Sequence, residues 1–371
     1  MNGDGAIKGN SLMQVLHAPA NALRFSARQW EDLLWHARIT RLSGRIWYLF
    51  EQSGMTDRVP EPIRRRLYSA FLEAEYHRRQ LLWEIDRIHR AFYGSGRSFV
   101  VMKGGAYVAL GLRAAIGRPV ADVDIMVAPD AIAEAEKMLL KHGWEAVIEN
   151  AYDQGYYRRW MHEFPPLRHR VRETEMDLHR GILPLTSRLR TDAESLYRMS
   201  VVLDERGTRV FSPPDMLLHC AVHLFHDGEI RGALRDLVDL DSLFREFGEK
   251  PGFWAGLIPR AVELGLQRPL FYALRYAMRL LDTPVPPEAL RAAEIGRPAA
   301  GVLSFMDWAV PASLVPPISR DEARTSSVAG FCLYIRSHWL RMPLGPLSKH
   351  LARKSLRRLW SNETGVRDAA G

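Results

Sequence analysis

Ser98-Phe99-Val100-Val101-Met102 runs without a break into Lys103-Gly104-Gly105, and Val120-Ala121-Asp122-Val123-Asp124-Ile125-Met126-Val127 follows shortly after. The first run is a short buried strand, its two glycines permit a tight turn, and Ala106 to Leu112 then takes helical spacing. In the second run Val123, Ile125 and Val127 alternate with Asp122 and Asp124, so a strand over 120–127 projects both carboxylates from one face. Two carboxylates on a rigid element suit Mg²⁺, which takes one or two protein carboxylates and fills its shell with water and phosphate. On spacing alone, the other reading is a solvent-facing edge strand that happens to carry two acids.

Working outward, Ala131 to His142 predicts a helix ended by Gly143, and Trp144 to Ile148 a strand. Tyr156 to Trp160, Leu167 to Val171 and Glu173 to Leu178 read as further strands joined by hairpin-like turns, giving a mixed α/β unit. Before it, apolar residues recur at helical spacing from Ser26, a capping residue, to Phe50, and a long helix runs from Pro62 to Tyr93, ending at Gly94-Ser95-Gly96. After Pro213-Pro214 the pattern is helical only: Asp215 to Phe225, Ile230 to Phe247, Phe253 to Leu264, Arg268 to Leu281 and Pro287 to Glu294. Pro311, Pro316 and Pro317 mark an irregular connection before a last helix from Val328 to Trp339. The expected division is a helical region 1–97, a core 98–211, a helical domain 212–345 and a basic tail 346–371.

A second acidic face comes from Glu173, Glu175, Asp177 and His179, which alternate with Thr174, Met176 and Leu178. Asp177, at the apolar end, is the expected third carboxylate for metal binding or for taking a proton from an attacking hydroxyl. Lys103-Gly104-Gly105 can bring backbone N–H groups and a charge to phosphate, but it is neither GxxxxGK[ST] nor GxGxxG. Arg118 could stabilise charge on a transferred phosphate, or lie on a surface loop. His219, His223 and His226 share one face of a helix whose start, Ser212 to Asp215, is spaced like a capping box. No Glu follows the first His as in HExxH, so lining a substrate pocket or packing against the helix of Asp236 and Asp239 is preferred to zinc.

The 371 residues carry a net charge of +8, which favours anionic partners, although much of it is local to Arg64-Arg65-Arg66 and to Lys349, His350, Arg353, Lys354, Arg357 and Arg358. Leucines and tryptophans among those last basic residues could form an interfacial helix on an anionic surface; a solvated terminal helix is the plainer reading. Two distant cysteines, Cys220 and Cys332, exclude a disulfide framework and the usual zinc spacings. No secretory signal and no spanning segment are expected, so the location expected is cytoplasmic.

Taken together, Val101-Met102-Lys103-Gly104-Gly105, Arg118, Asp122-Val123-Asp124-Ile125-Met126-Val127 and Met176-Asp177-Leu178-His179 resemble the uncharacterised nucleotidyltransferase family of the DNA polymerase beta-like superfamily. The likeness covers roughly Arg24 to Phe247, including His219, His223 and Leu234-Arg235-Asp236-Leu237. It implies an α+β fold, a minimal nucleotidyltransferase palm whose mixed sheet is flanked by N-terminal helices and a C-terminal all-helical region. It further implies Mg²⁺ or Mn²⁺ on Asp122, Asp124 and Asp177, and a nucleoside triphosphate such as ATP on Lys103, Gly104, Gly105 and Arg118. The acceptor, a small molecule, sugar or macromolecule, would meet His179, His219, His223 and Asp236. The superfamily's Gly-Ser turn is Gly104-Gly105 here, and the gap to Asp122 is longer than in many members. The expected activity is that of a bacterial-type nucleotidyltransferase, transfer of a nucleoside monophosphate to the hydroxyl of an unidentified acceptor; the competing expectation is a non-catalytic scaffold that binds RNA, a membrane surface or a protein through its tail.

Overall fold

A computed structural model describes residues 9–148, 150–226, 230 and 232–341. The sequence's basic tail, 346–371, lies outside the described residues.

Among the described residues four α-helices precede the sheet: α1 (Ser11–His17), α2 (Ala27–Ile39), α3 (Ser43–Gln52) and α4 (Glu61–Phe92). Ser26 starts α2 as expected, with a full capping box: its hydroxyl accepts from Gln29 N–H and the Gln29 side chain accepts from Ser26 N–H. Pro62 opens the first turn of α4, and Gly94 in left-handed conformation follows its end. One face of α4 buries Ile63, Leu67, Leu81, Ile85, Ile88 and Phe92.

The mixed sheet runs in the order β3-β4-β5-β2-β1-β7-β6 among the described residues. Its strands are β1 (Val100–Val101), β2 (Asp122–Met126), β3 (Trp144–Ala146), β4 (Leu167–His169), β5 (Glu175–His179), β6 (Val201–Val202) and β7 (Arg209–Val210). β2 pairs parallel with β5 and β1 parallel with β7; the remaining pairs are antiparallel. The register Val123↔Met176 and Ile125↔Leu178 puts four buried apolar side chains on one face, where α4 packs. At roughly 1.5–3 kcal/mol for each fully buried aliphatic side chain, that face fixes the register against a one-residue slip, which would turn the acids inward. Between β1 and β4 the described chain forms three α-helices: α5 (Lys103–Ala109), α6 (Ile132–Lys141) and α7 (Ala151–Trp160).

From α8 (Ala193–Arg198) the chain passes through β6 and β7 into helices only: α9 (Pro213–His226), α10 (Leu234–Gly248), α11 (Phe253–Glu263), α12 (Gln267–Leu281), α13 (Pro287–Ala293), α14 (Ala300–Leu314) and α15 (Arg320–Arg341). α9 is buried along nearly its whole length and packs against α10, α11 and α12. The core is continuous from Leu12 to Leu333. No described helix is long and apolar enough to cross a membrane.

Three expectations are corrected. Tyr156 to Trp160 is the end of helix α7, not a strand, started by the Asn150 side chain accepting from Tyr152 N–H. Pro311 lies inside α14 rather than in a connection. The ring removes the donor for the Asp307 carbonyl, and Arg279 Nη1 donates to that carbonyl instead, at 3.3 Å. The last helix starts at Arg320, eight residues before the expected Val328.

Candidate active site

The β1–β2 pairing carries Met102 N–H to the Asp124 carbonyl at 3.0 Å, so the next residue, Lys103, leaves the sheet beside Asp124. Lys103 turns the chain with φ +46°, a left-handed conformation uncommon outside glycine. Its ammonium donates to Asp124 Oδ1 at 2.7 Å. On the other side of β2 the parallel register pairs Asp122 with Glu175, Asp124 with Asp177 and Met126 with His179. Asp122, Asp124, Asp177 and His179 therefore share one face of two adjoining strands, opposite the apolar face under α4.

His179 Nε2 lies 3.0 Å from the same Asp124 Oδ1, and one ligand atom each of Asp124, Asp177 and His179 all fall within 4.8 Å of one another. Burial alone would raise the Asp124 carboxyl, but the Lys103 charge, with the His179 hydrogen bond and charge, outweighs it and holds this acid well below the usual carboxylate range. Burial would likewise lower Lys103, and Asp124 outweighs it, keeping the ammonium charged. Asp177 goes the other way: burial, then the neighbouring Asp124 carboxylate, push it up to about 6. Two carboxylates this close, one firmly ionised and the other resisting ionisation beside it, form a donor set that a divalent cation fits by relieving the repulsion.

Asp122 and Asp124 also line a cavity of about 150 Å³ together with Lys103, Arg118, His219 and His223. Arg118, its side chain 10% exposed, donates to Asp239 Oδ2 at 2.8 Å and lies 5.7 Å from the Tyr107 ring centroid. Gly104 is required by that arginine: a Cβ there would stand 2.3 Å from Arg118 Nη1. The loop bearing Arg118 is held from the N-terminal helices. Gly117, with φ +66°, meets Gly44 of α3 backbone to backbone, where a Cβ would lie 2.4 Å from the Gly44 carbonyl carbon, and buried Arg45 donates to the Arg113 and Ala114 carbonyls.

The opposite wall is α9 against α10. His223 Nδ1 lies 3.3 Å from Asp236 Oδ2. Burial would raise Asp236, but the His223 hydrogen bond and charge, with Arg235, hold it low. His219, packed edge-on to Phe211, is driven well below the usual histidine range by burial and then by the Lys103 charge, so it stays neutral.

The structure thus brings Lys103, Gly104, Arg118, Asp122, Asp124, His219, His223 and Asp236 to one cavity. Asp177 and His179 are not among its lining residues: His179, expected beside the acceptor, sits on Asp124, and exposed Asp122 stands outside the group of three closely placed ligand atoms. Gly105 lies under Val101, whose Cγ1 would be 2.9 Å from an added Cβ. His226 turns away to Ser187, at 3.0 Å. Only half of the capping box at Ser212 forms, Asp215 N–H to the Ser212 hydroxyl at 3.4 Å, because the Asp215 carboxylate is taken by Arg260 at 2.6 and 3.0 Å. Sequence reading passed over His162 and Glu163, which stand beside His179, and Arg41 at the cavity; reading α7 as a strand hid the first pair.

The model of a family described as an uncharacterised nucleotidyltransferase matches residues 26–282, from the α2 capping residue to just past α12. No curated protein and no solved structure matches the chain.

Proposed function

The chain belongs to this uncharacterised nucleotidyltransferase family, and from that premise we propose that it transfers a nucleoside monophosphate from a nucleoside triphosphate to an acceptor hydroxyl at the cavity between β2 and α9. The observation that carries the reading is the parallel register Asp124↔Asp177, with Lys103 on Asp124 at the cavity wall. Mg²⁺ or Mn²⁺ would be held by Asp124 and Asp177, with Asp122 on the same strand face, and would neutralise phosphate charge and draw the triphosphate into line.

Lys103 stays protonated and offers its ammonium to the phosphates. Gly104 leaves room for the Arg118 guanidinium beside Lys103, and Gly105 lets the turn pack against Val101. Arg118, tied to Asp239, contributes a fixed positive charge at the wall rather than a mobile finger. Asp177, paired with Asp124 across the two strands, stands where it could take the proton of an attacking hydroxyl. His219, His223 and Asp236 form the side from which an acceptor approaches. Rate enhancement then comes mainly from positioning and charge, as in phosphoryl-type transfers.

Isothermal titration of each of the four ribonucleoside triphosphates with Mg²⁺, at fixed salt, tests this in the wild type and in Asp124→Asn/Asp177→Asn. Metal-dependent binding that the variant loses is the expected result and names the nucleotide. Absence of binding to all four would turn the account toward a non-catalytic scaffold.

A further inference from the structure

We propose that His162, Glu163 and His179 form a second cation site, separate from the Asp124–Asp177 pair, that takes a zinc-type ion rather than Mg²⁺. The three side chains stand on paired backbone. Phe164 N–H donates to the Leu178 carbonyl at 2.9 Å and Arg180 N–H to the His162 carbonyl at 2.8 Å, which sets Glu163 opposite His179 across an antiparallel bridge. The register leaves little freedom to reassort them.

The distances suit a shared ion better than direct bonds. Glu163 Oε2 lies 3.8 Å from His162 Nε2 and 3.8 Å from His179 Nδ1. Both exceed the roughly 3.2 Å limit of a good hydrogen bond, whereas two ligands of one tetrahedral ion, each about 2.0–2.1 Å from it, stand about 3.3 Å apart. A contraction of about half an ångström brings both Glu163 contacts to that spacing, and the two imidazole nitrogens already lie within 4.8 Å of each other.

His179 supplies an independent sign. The residue is 1% exposed and its Nδ1 makes no hydrogen bond, while its Nε2 contacts Asp124 Oδ1 at 3.0 Å. A buried ring nitrogen left without a hydrogen bond is destabilising. An imidazole bonded to a carboxylate through one nitrogen and bare at the other is the arrangement of a metal-ligating histidine with a carboxylate behind it. Two imidazole nitrogens and one carboxylate oxygen select a borderline ion, and three protein ligands leave a position for water or substrate. The site needs no nucleotidyl transfer to exist, and by fixing the proton of His179 on Nε2 it would orient the imidazole toward Asp124.

Co²⁺, added alone to the full chain, is the probe, because a low-coordinate Co²⁺ ion absorbs in the visible. The expected result is one equivalent bound with visible bands that Zn²⁺ displaces. The bands should disappear in both Glu163→Gln and His162→Ala, with circular dichroism as in the wild type, and persist in Asp177→Asn, which loses Mg²⁺-dependent nucleotide binding. Glu163→Gln keeps the side-chain shape, so it still reads the site if His162→Ala fails to fold. No bands in the wild type, bands that survive Glu163→Gln, or bands lost in Asp177→Asn alone would overturn the proposal while leaving the nucleotide site to be judged by its own titration.

Discussion

The two sides of the cavity handle buried acid differently. On α9 and α10 each carboxylate has its own cation: Asp239 holds Arg118 at 2.8 Å, and Asp236 has His223 at 3.3 Å with Arg235 beside it. On the sheet Lys103 and His179 both converge on a single oxygen of Asp124, and Asp177 is left pushed up to about 6 by burial and by that neighbour. A wall of matched pairs costs little to keep and has no need of a ligand. A carboxylate pair with its hydrogen-bond donors crowded onto one member has negative charge to spare, and a divalent metal could take up that imbalance.

Removing an acid should therefore have opposite effects on the two sides. Asp239→Asn leaves Arg118 largely buried without its counter-charge, and urea unfolding should record a loss of roughly 3–5 kcal/mol. Gly117→Ala, which demands a left-handed alanine against the Gly44 backbone, should cost about 2–3 kcal/mol in the same measurement. Asp177→Asn should instead stabilise the metal-free chain at pH 7.5, on the order of 1 kcal/mol, while abolishing Mg²⁺-dependent nucleotide binding. A loss of stability there as large as that of Asp239→Asn would erase the contrast.

The wall also carries a pH dependence of definite sign. His219 is held below the usual histidine range by burial, so the unfolded chain takes up its proton first as pH falls. Its contribution is complete above about pH 6.5 and declines as pH drops below that value, by at most roughly 1.4 kcal/mol per pH unit. Thermal melts from pH 7.5 to 5.5 should be flatter for His219→Gln than for the wild type. The smallest effect is expected at exposed Asp122, where Asn should change stability by less than about 0.5 kcal/mol.

Much of this was legible in the sequence because period-2 alternation states which face a strand buries. Val123 and Ile125 against Asp122 and Asp124, and Met176 and Leu178 against Asp177, carry that signal, and so does the solvent-facing placement of Glu173 and Glu175. The register that sets Asp124 beside Asp177 is a long-range property that neither strand encodes alone. Strands β6 and β7 hold two residues each, too few to show a period. Tyr156 to Trp160 is aromatic enough to imitate a strand, although it is the last turn and a half of a helix begun at Asn150. The same error concealed His162 and Glu163, whose meaning depends on the antiparallel bridge to His179. Arg118 shows another limit: spacing offers it to a phosphate, and only packing reveals Asp239 as its partner.

The most direct measurement is electron paramagnetic resonance of Mn²⁺ titrated with ATP into the wild type, Asp177→Asn and Asp122→Asn. The account predicts that wild-type protein with nucleotide depletes the free-ion signal beyond what the nucleotide does alone, and that the signal returns to the nucleotide-alone level in Asp177→Asn and part of the way in Asp122→Asn. An unchanged free-ion signal in the wild type, or equal depletion by the wild type and Asp177→Asn, would contradict the claim that the β2–β5 carboxylates hold the metal.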